Sequence, residues 1–92
     1  TLVIPHRHAG SLFELEEAEF AALWPVLQWV RSDLQAAFAP DSVNVGVNDG
    51  PAAGQTVPHL HVHVIPRYAG DVADPRGGVR WILPEKADYW TR

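Results

Sequence analysis

The chain has 92 residues, a formal net charge of −4 and no cysteine, and 47% of its residues are hydrophobic. This composition is that of one small globular domain, residues 1–92, and it excludes disulfides, thiolate metal ligands and a cysteine nucleophile. The seven lysines and arginines are scattered, whereas a nucleic-acid binder usually carries a basic stripe. No apolar run approaches the ~20 residues of a membrane span. We therefore expect a cytoplasmic protein that binds neither nucleic acid nor membrane.

The first half of the chain predicts a strand and then a long helix. Residues 1–4 are β-prone. Ser11 and Glu14 have the spacing of a capping box, which predicts a short helical turn. Residues 16–38 repeat apolar positions every three or four residues, which predicts an amphipathic helix that Pro25 should kink or split. The apolar stripe consists of Phe20, Leu23, Leu27, Val30, Leu34 and Phe38.

Two further strands are predicted beyond the helix. Residues 42–48 alternate, so that their three valines share one face. Residues 49–56 are rich in turn formers, and residues 59–65 predict a second strand that Pro66 closes. The connection is short enough for an antiparallel pair, and the helix would cover the valine face. This order of elements predicts an α+β domain.

The two ends of the chain differ in character. The chain starts at Thr1, with no methionine, and enters a β-prone run almost at once, so we expect part of the natural domain to lie upstream. After Tyr68 glycines and prolines predict irregular structure. This irregular part ends in an aromatic segment, residues 81–90, which is more typical of packing than of base stacking.

Three of the five histidines, His59, His61 and His63, occupy alternate positions of one predicted strand. Alternate residues of a strand point to one face, so the three imidazoles should lie side by side. A solvated face that uses histidine by chance is a poor explanation for three in register. Two chemical interpretations remain. The three histidines, with His8, form a metal site, or one imidazole is a nucleophile whose neighbours orient it and supply protons.

The loop before the histidines favours the nucleophile. Asn48, Gln55 and Thr56 offer amides and a hydroxyl, and the glycines between them expose backbone N–H groups, all of which suit phosphate oxygens. No aspartate or glutamate lies next to the three histidines to complete a metal shell.

These residues resemble the histidine triad (HIT) family. The family signature, His-φ-His-φ-His-φ-φ with φ apolar, is complete at residues 59–65. The stretch VNDGPAAGQTVPH resembles the family's approach to the triad, VIPHRH resembles its first strand and basic-histidine turn, and GGVRWILPEKADYW resembles the tail of many bacterial members. The resemblance covers essentially the whole chain and is greatest to the fragile-histidine branch.

The resemblance implies an α+β fold, in which an antiparallel sheet is covered by a long helix and the N-terminal strands of the family are missing from this chain. It implies a nucleotide hydrolase or nucleotidyl transferase that acts on dinucleoside polyphosphates, nucleoside phosphoramidates or related nucleotide conjugates. It also implies a homodimer. No motif in the sequence demands a metal, and we expect no cofactor. A metal site on a β-scaffold and a non-catalytic nucleotide-binding module are the alternatives.

The resemblance also implies a role for each site residue. By position, His61 attacks the α-phosphorus and forms a covalent nucleotidyl-histidine, which water then hydrolyses. His63 would hydrogen-bond a phosphate or leaving-group oxygen, and His59 would orient the central imidazole. The residues that match substrate-binding positions are Asn48, Gly54, Gln55, Thr56 and His8.

Overall fold

Three strands and one helix form the fold in the computed structural model, which describes residues 1–91. In chain order they are β1 (Leu2–Val3), α1 (Glu17–Phe38), β2 (Ser42–Gly46) and β3 (Val62–Arg67). Short 3₁₀ turns at Leu12–Glu14, Pro51–Ala53, Gly78–Ile82, Pro84–Lys86 and Tyr89–Thr91 connect or follow them. The predicted order of strand, helix, strand and strand is confirmed.

The sheet is antiparallel throughout, with β3 in the middle of the order β1-β3-β2. His63 lies opposite Leu2 of β1 and Gly46 of β2. The predicted antiparallel pairing of the second and third strands is therefore confirmed. The strand that begins within the histidine triad is held from both sides, which restrains its backbone.

The bounds of the strands differ from the prediction. Regular pairing of β3 begins at Val62 and continues through Pro66, which lies opposite Val43, to Arg67. The prediction that Pro66 closes the strand is wrong. A proline is tolerated where one side of a strand is free, and beyond Val64 no strand among residues 1–91 pairs with β3 on the side away from β2.

The long helix is one uninterrupted element of 22 residues. Glu16 and Glu19 form its capping box, and Ala39 ends it with a left-handed backbone, φ 46°, and an N–H that donates to the Gln35 carbonyl at 3.1 Å. The predicted split at Pro25 is not observed, because proline removes a single N–H donor and the flanking turns stay helical. No helix within residues 1–91 combines the length and apolar character needed to cross a membrane.

The core lies between α1 and the sheet. Its buried cluster consists of Val30, Leu34 and Val64, with Val3, Leu27 and Val43 packed around it. The two ends of the predicted helical stripe, Phe20 and Phe38, are exposed by 58% and 62%. Val45 is 48% exposed, so the helix covers only part of the valine face that the sequence predicts to be buried.

The C-terminal segment packs on itself. The Arg76 guanidinium lies 4.7 Å from the centroid of the Trp90 ring, and the Trp81 indole N–H donates to the Arg76 carbonyl at 2.6 Å. Gly77, with φ 90°, lies so close to both tryptophans that a Cβ there would be 3.0 Å from the Trp90 ring. Trp81 and Trp90 thus make contacts within the segment, while Trp81 and Tyr89 are 45% and 59% exposed.

Candidate active site

The three triad histidines lie on one face of the extended segment that enters β3. Leu60, Val62 and Val64 are only 2%, 3% and 1% exposed, whereas the three histidines that alternate with them are half-buried. The apolar side chains face the helix, and the imidazoles face the opposite side. The alternation of the sequence thus separates core from site.

The imidazoles form a row that a fourth histidine extends. Neighbouring ring centroids are 5.3 Å apart for His8 and His59, 6.1 Å for His59 and His61, and 6.5 Å for His61 and His63. The planes of His61 and His63 are only 25° from parallel, whereas the other two pairs meet at 70°. His61 therefore has an imidazole on either side.

The orientation of His59 is fixed by the backbone. Its Nε2 lies 3.3 Å from the Pro5 carbonyl oxygen. A carbonyl can only accept a hydrogen bond, so Nε2 carries the proton and, in the neutral ring, Nδ1 is left as an acceptor. Pro5, two residues after β1, thus sets the tautomer of the first triad histidine.

An open cleft of about 230 Å³ lies beside His61 and His63. It is lined by Leu2, Asn48, Gly54, Gln55, Thr56, Val57, His61 and His63. The structure brings together six of the eight site residues that the sequence singles out. The other two, His59 and His8, lie behind His61 in the row of rings.

Leu2 and Val57 are cleft residues that sequence reasoning missed. Both are more than half exposed, Leu2 by 54% and Val57 by 52%. Leu2 reaches the cleft because β1 pairs it with His63, and opposite residues of an antiparallel pair share a face. The pairing register would have found Leu2, but the sequence alone does not give that register.

The loop on the other side of the cleft turns at two glycines with positive φ. Gly50 and Gly54 have φ of 94° and 98°, a region that favours glycine, and they flank the 3₁₀ turn Pro51–Ala53. A Cβ on Gly54 would lie 3.9 Å from the Asn48 amide nitrogen. Asn48 and Thr56 are exposed, so their polar groups can reach a ligand.

The Gln55 side chain is engaged with the backbone. Its Oε1 accepts from the Gly50 N–H at 2.8 Å. Its Nε2 donates to the Gly10 carbonyl at 2.7 Å and to the Val57 carbonyl at 3.1 Å. Both N–H donors are therefore used within the protein, so a direct contact to substrate would replace one of these bonds.

Asp49 makes a second connection between the same parts of the chain, and sequence reasoning did not single it out. One carboxylate oxygen accepts from the Ser11 hydroxyl at 3.1 Å, and the other accepts from the Leu12 N–H at 3.3 Å.

Ser11 also accepts from the Phe13 N–H at 3.1 Å, which confirms its predicted cap of a short turn. Glu14 receives the Gly10 N–H instead of closing a capping box with Ser11.

The charged pairs with shifted pKa values lie outside the cleft. The Arg7 guanidinium donates three hydrogen bonds of 2.8–3.1 Å to the Glu19 carboxylate, which lowers the pKa of Glu19 and raises that of Arg7. The Arg67 guanidinium donates hydrogen bonds of 2.7 and 2.8 Å to the Asp71 carboxylate. These bonds hold the pKa of that carboxyl well below its usual range. These pairs anchor the start of α1 and the end of β3.

Acidic side chains of the described residues do not complete a metal site with the row of histidines. Within residues 1–91, no group of three or more histidine, aspartate or glutamate side chains is arranged to hold a metal ion. The metal-site interpretation of the sequence gains no support from the geometry of these residues.

Comparison with known proteins identifies the family. A model of the HIT domain matches residues 1–70. The asymmetrical bis(5′-nucleosyl)-tetraphosphatase of Schizosaccharomyces pombe is 40% identical over 73 residues, which is 79% of this chain and 40% of that protein. The bifunctional bis(5′-adenosyl)-triphosphatase/adenylylsulfatase FHIT of Arabidopsis thaliana is 41% identical over 70 residues, which is 76% of this chain and 39% of that protein.

The three-dimensional comparison agrees. The crystal structure of the C. elegans NitFhit protein matches with a TM-score of 0.72 and 41% identity over 94% of this chain and 20% of that chain. The chain belongs to the HIT-domain family, and the predicted resemblance and α+β fold are confirmed. It spans about two-fifths of the length of the curated relatives described above.

Proposed function

We propose that this chain carries the reacting centre of a nucleotide hydrolase or nucleotidyl transferase. Its substrates would be dinucleoside polyphosphates, nucleoside phosphoramidates or related nucleotide conjugates. The observation that carries the proposal is the cleft in which His61 and His63 face Asn48, Gly54 and Thr56. The names of the two curated relatives, a tetraphosphatase and a triphosphatase acting on bis-nucleosides, support this class of substrate.

In the proposed reaction His61 is the nucleophile. A ring nitrogen of the neutral imidazole attacks the α-phosphorus and forms a P–N bond, while the bond from phosphorus to the bridging oxygen or nitrogen breaks. The leaving group departs with that electron pair and takes up a proton. Water then attacks phosphorus, the P–N bond breaks, and a nucleoside monophosphate and free imidazole result. A neutral imidazole is available near neutral pH, which suits this role.

The two neighbouring imidazoles serve the nucleophile from either side. His63 lines the same cleft, with its ring centroid 6.5 Å from that of His61, and it donates a hydrogen bond to a phosphate or leaving-group oxygen. His59, whose Nε2 is held by Pro5, orients the central ring, with His8 packed behind it. A proton donor held on a sheet lies at a fixed distance and angle from the reacting group.

The loop across the cleft stabilises the charge on phosphoryl oxygens. Asn48 and Thr56 contribute side-chain donors, and Gly54 contributes backbone that can approach closely. Gln55 binds substrate directly only by exchanging one of its backbone bonds. Donors that are already in place when charge develops are the most effective form of electrostatic stabilisation.

We further propose that the protein is a cytoplasmic homodimer. Two large apolar side chains of α1, Trp24 and Trp29, are exposed by 65% and 67%, and such groups are common at protein–protein interfaces. Analytical ultracentrifugation and subcellular fractionation test these two statements independently of activity.

Turnover of adenosine 5′-phosphoramidate and diadenosine triphosphate, with and without EDTA, tests the proposed function. We expect AMP release from both substrates and no loss of rate with the chelator. AMP binding without release would identify a nucleotide-binding module instead. Activity that EDTA abolishes and zinc restores would favour the metal site.

A further inference from the structure

The cleft loop, residues 49–57, is tied to a distant part of the chain by two side chains. Asp49 accepts from Ser11 and Leu12, which lie 38 and 37 positions away. Gln55 donates to Gly10, 45 positions away, at 2.7 Å. We propose that Asp49 and Gln55 form a latch that positions this loop for catalysis, an inference that rests on the proposed function.

The segment that receives the latch is itself fixed to the triad. Ala9 is fully buried, and its carbonyl accepts from the Leu60 N–H at 2.7 Å. The Gly10 N–H donates to the Glu14 carboxylate at 3.0 Å, which closes the turn that follows. Residues 9–12 therefore form an anchor that moves with the histidine segment, and the latch transmits the position of that segment to the loop.

The latch residues act through their neighbours. Both oxygens of the Asp49 carboxylate accept hydrogen bonds from the turn at residues 11–12. Asn48, the residue before it, lines the cleft. Gln55 holds both Gly50 and Val57, so the residues that flank it, Gly54 and Thr56, are fixed as well. Asp49 is thus a positioning residue, and we assign Gln55 the same role ahead of a direct phosphate contact.

Small displacements of such a loop should be costly. Asn48 and Thr56 line the same cleft as His61, so any shift of the loop moves their donors relative to that imidazole. A misplacement of about 1 Å can lower a catalytic rate by up to about 100-fold. Loss of one half of the latch should therefore lower kcat/KM, even for Asp49, which does not line the cleft.

The test uses the unmodified 92-residue chain and four variants. Asp49→Ala removes one half of the latch, and Asp49→Asn keeps one acceptor oxygen for the Leu12 N–H. Gln55→Glu keeps an oxygen for the Gly50 N–H but sets a second oxygen against two carbonyl oxygens. Asp33→Ala, on the exposed side of α1, is the control. The readouts are kcat and KM for adenosine 5′-phosphoramidate, AMP affinity and amide hydrogen exchange of the loop.

We expect Asp49→Ala and Gln55→Glu to lower kcat/KM about tenfold and to accelerate exchange across the loop, while Asp49→Asn recovers part of both. Asp33→Ala should match the unmodified chain. Unchanged exchange in both latch variants, or faster exchange with unchanged kcat/KM, overturns the latch.

Failure of the proposed function is distinguishable from failure of the latch. If the unmodified chain binds AMP without turnover, the proposed function is wrong. The latch is then tested by comparing the AMP affinity of Asp49→Ala with that of the unmodified chain. About tenfold weaker AMP binding by Asp49→Ala then supports it, and equal affinity overturns it. A chain that neither turns over nor binds AMP overturns both.

Discussion

The imidazole rings of His61 and His63 lie 6.5 Å apart, centroid to centroid, and nearly parallel. This separation is close to the rise of two residues in an extended chain, about 6.7 Å. The backbone of the histidine segment therefore sets the distance between the proposed nucleophile and its neighbour. Pairing of His63 with β1 and β2 on either side keeps that backbone extended.

Replacing the proposed nucleophile should abolish turnover and leave the fold intact. We expect His61→Ala to lower kcat/KM for adenosine 5′-phosphoramidate by at least about 10³-fold, because no other group then forms the P–N bond. The melting temperature should stay within about 2 °C, since the half-buried ring borders an open cleft. His6→Ala is the matched control, because His6 faces a separate cavity of about 550 Å³ beneath α1. Equal loss in both variants would contradict the assignment.

Two valines that face each other across β2 and β3 should differ in their contribution to stability. Val64 is 1% exposed and belongs to the core cluster, whereas its partner Val45 is 48% exposed. Val64→Ala should lower the free energy of unfolding by about 2 kcal/mol, from lost burial and a residual cavity. Val45→Ala should cost about half of that or less. Urea denaturation measures both, and equal costs would show that α1 does not define the core.

Two glycines with similar backbone angles separate strain from crowding in the C-terminal segment. Gly70 and Gly77 have φ of 86° and 90°, so alanine is strained at either position by about 1–2 kcal/mol. A Cβ on Gly70 meets nothing within 4 Å, whereas one on Gly77 would lie within 3.1 Å of Trp90, Trp81 and Ala87. Gly77→Ala should therefore disturb the tryptophan fluorescence and near-UV circular dichroism, and Gly70→Ala should not. Identical spectra for both variants would argue against the packing described for this segment.

Stability should decline in acid through the ion pair at the end of β3. The pKa of Asp71 is lowered chiefly by its hydrogen bonds from Arg67, and further by the Tyr68 N–H. A carboxyl whose pKa is lower in the folded state stabilises the fold above its unfolded pKa, and this contribution is lost as the pH falls below about 4. Both side chains are about a quarter exposed, so the effect should be modest.

Substitution of Arg67, the partner of Asp71, isolates the contribution of this ion pair to acid stability. Arg67→Met should lower stability at pH 7 and flatten the loss between about pH 4 and 2, because Asp71 no longer prefers its ionised form in the folded state. Arg31→Met, on the exposed side of α1, should leave the profile unchanged. The free energy of unfolding from urea titrations at pH 2–7 gives the answer. A profile for Arg67→Met that runs parallel to that of the unmodified chain would contradict the cause assigned to the shift.

Local patterns in the sequence predicted most of the fold. The alternation around the histidines and the helical stripe gave the order of elements, because each is read from neighbouring positions. The extension of β3 through Pro66 was not predicted, since it depends on how far β1 reaches along the sheet. The continuity of α1 at Pro25 depends on the turns around the proline, and the residue type alone does not report it.

The residues of the candidate site likewise fall into those that the sequence predicted and those that it did not. His61, Asn48 and Thr56 were found because they follow each other closely in a recognisable motif. Leu2 and Asp49 were missed because their roles arise from contacts with residues far away in the chain. The position of Gln55 was predicted, but its bonds to the backbone follow from the tertiary arrangement of two loops.

The most direct test of the central claim is mass spectrometry of protein quenched during turnover of adenosine 5′-phosphoramidate. The quench should be alkaline, because a phosphorus–nitrogen bond to histidine is labile in acid. We expect a mass increase of one adenylyl group, located by peptide mapping on His61 and absent from His61→Ala. Turnover without any adduct, or an adduct on His59, His63 or another residue, would contradict it.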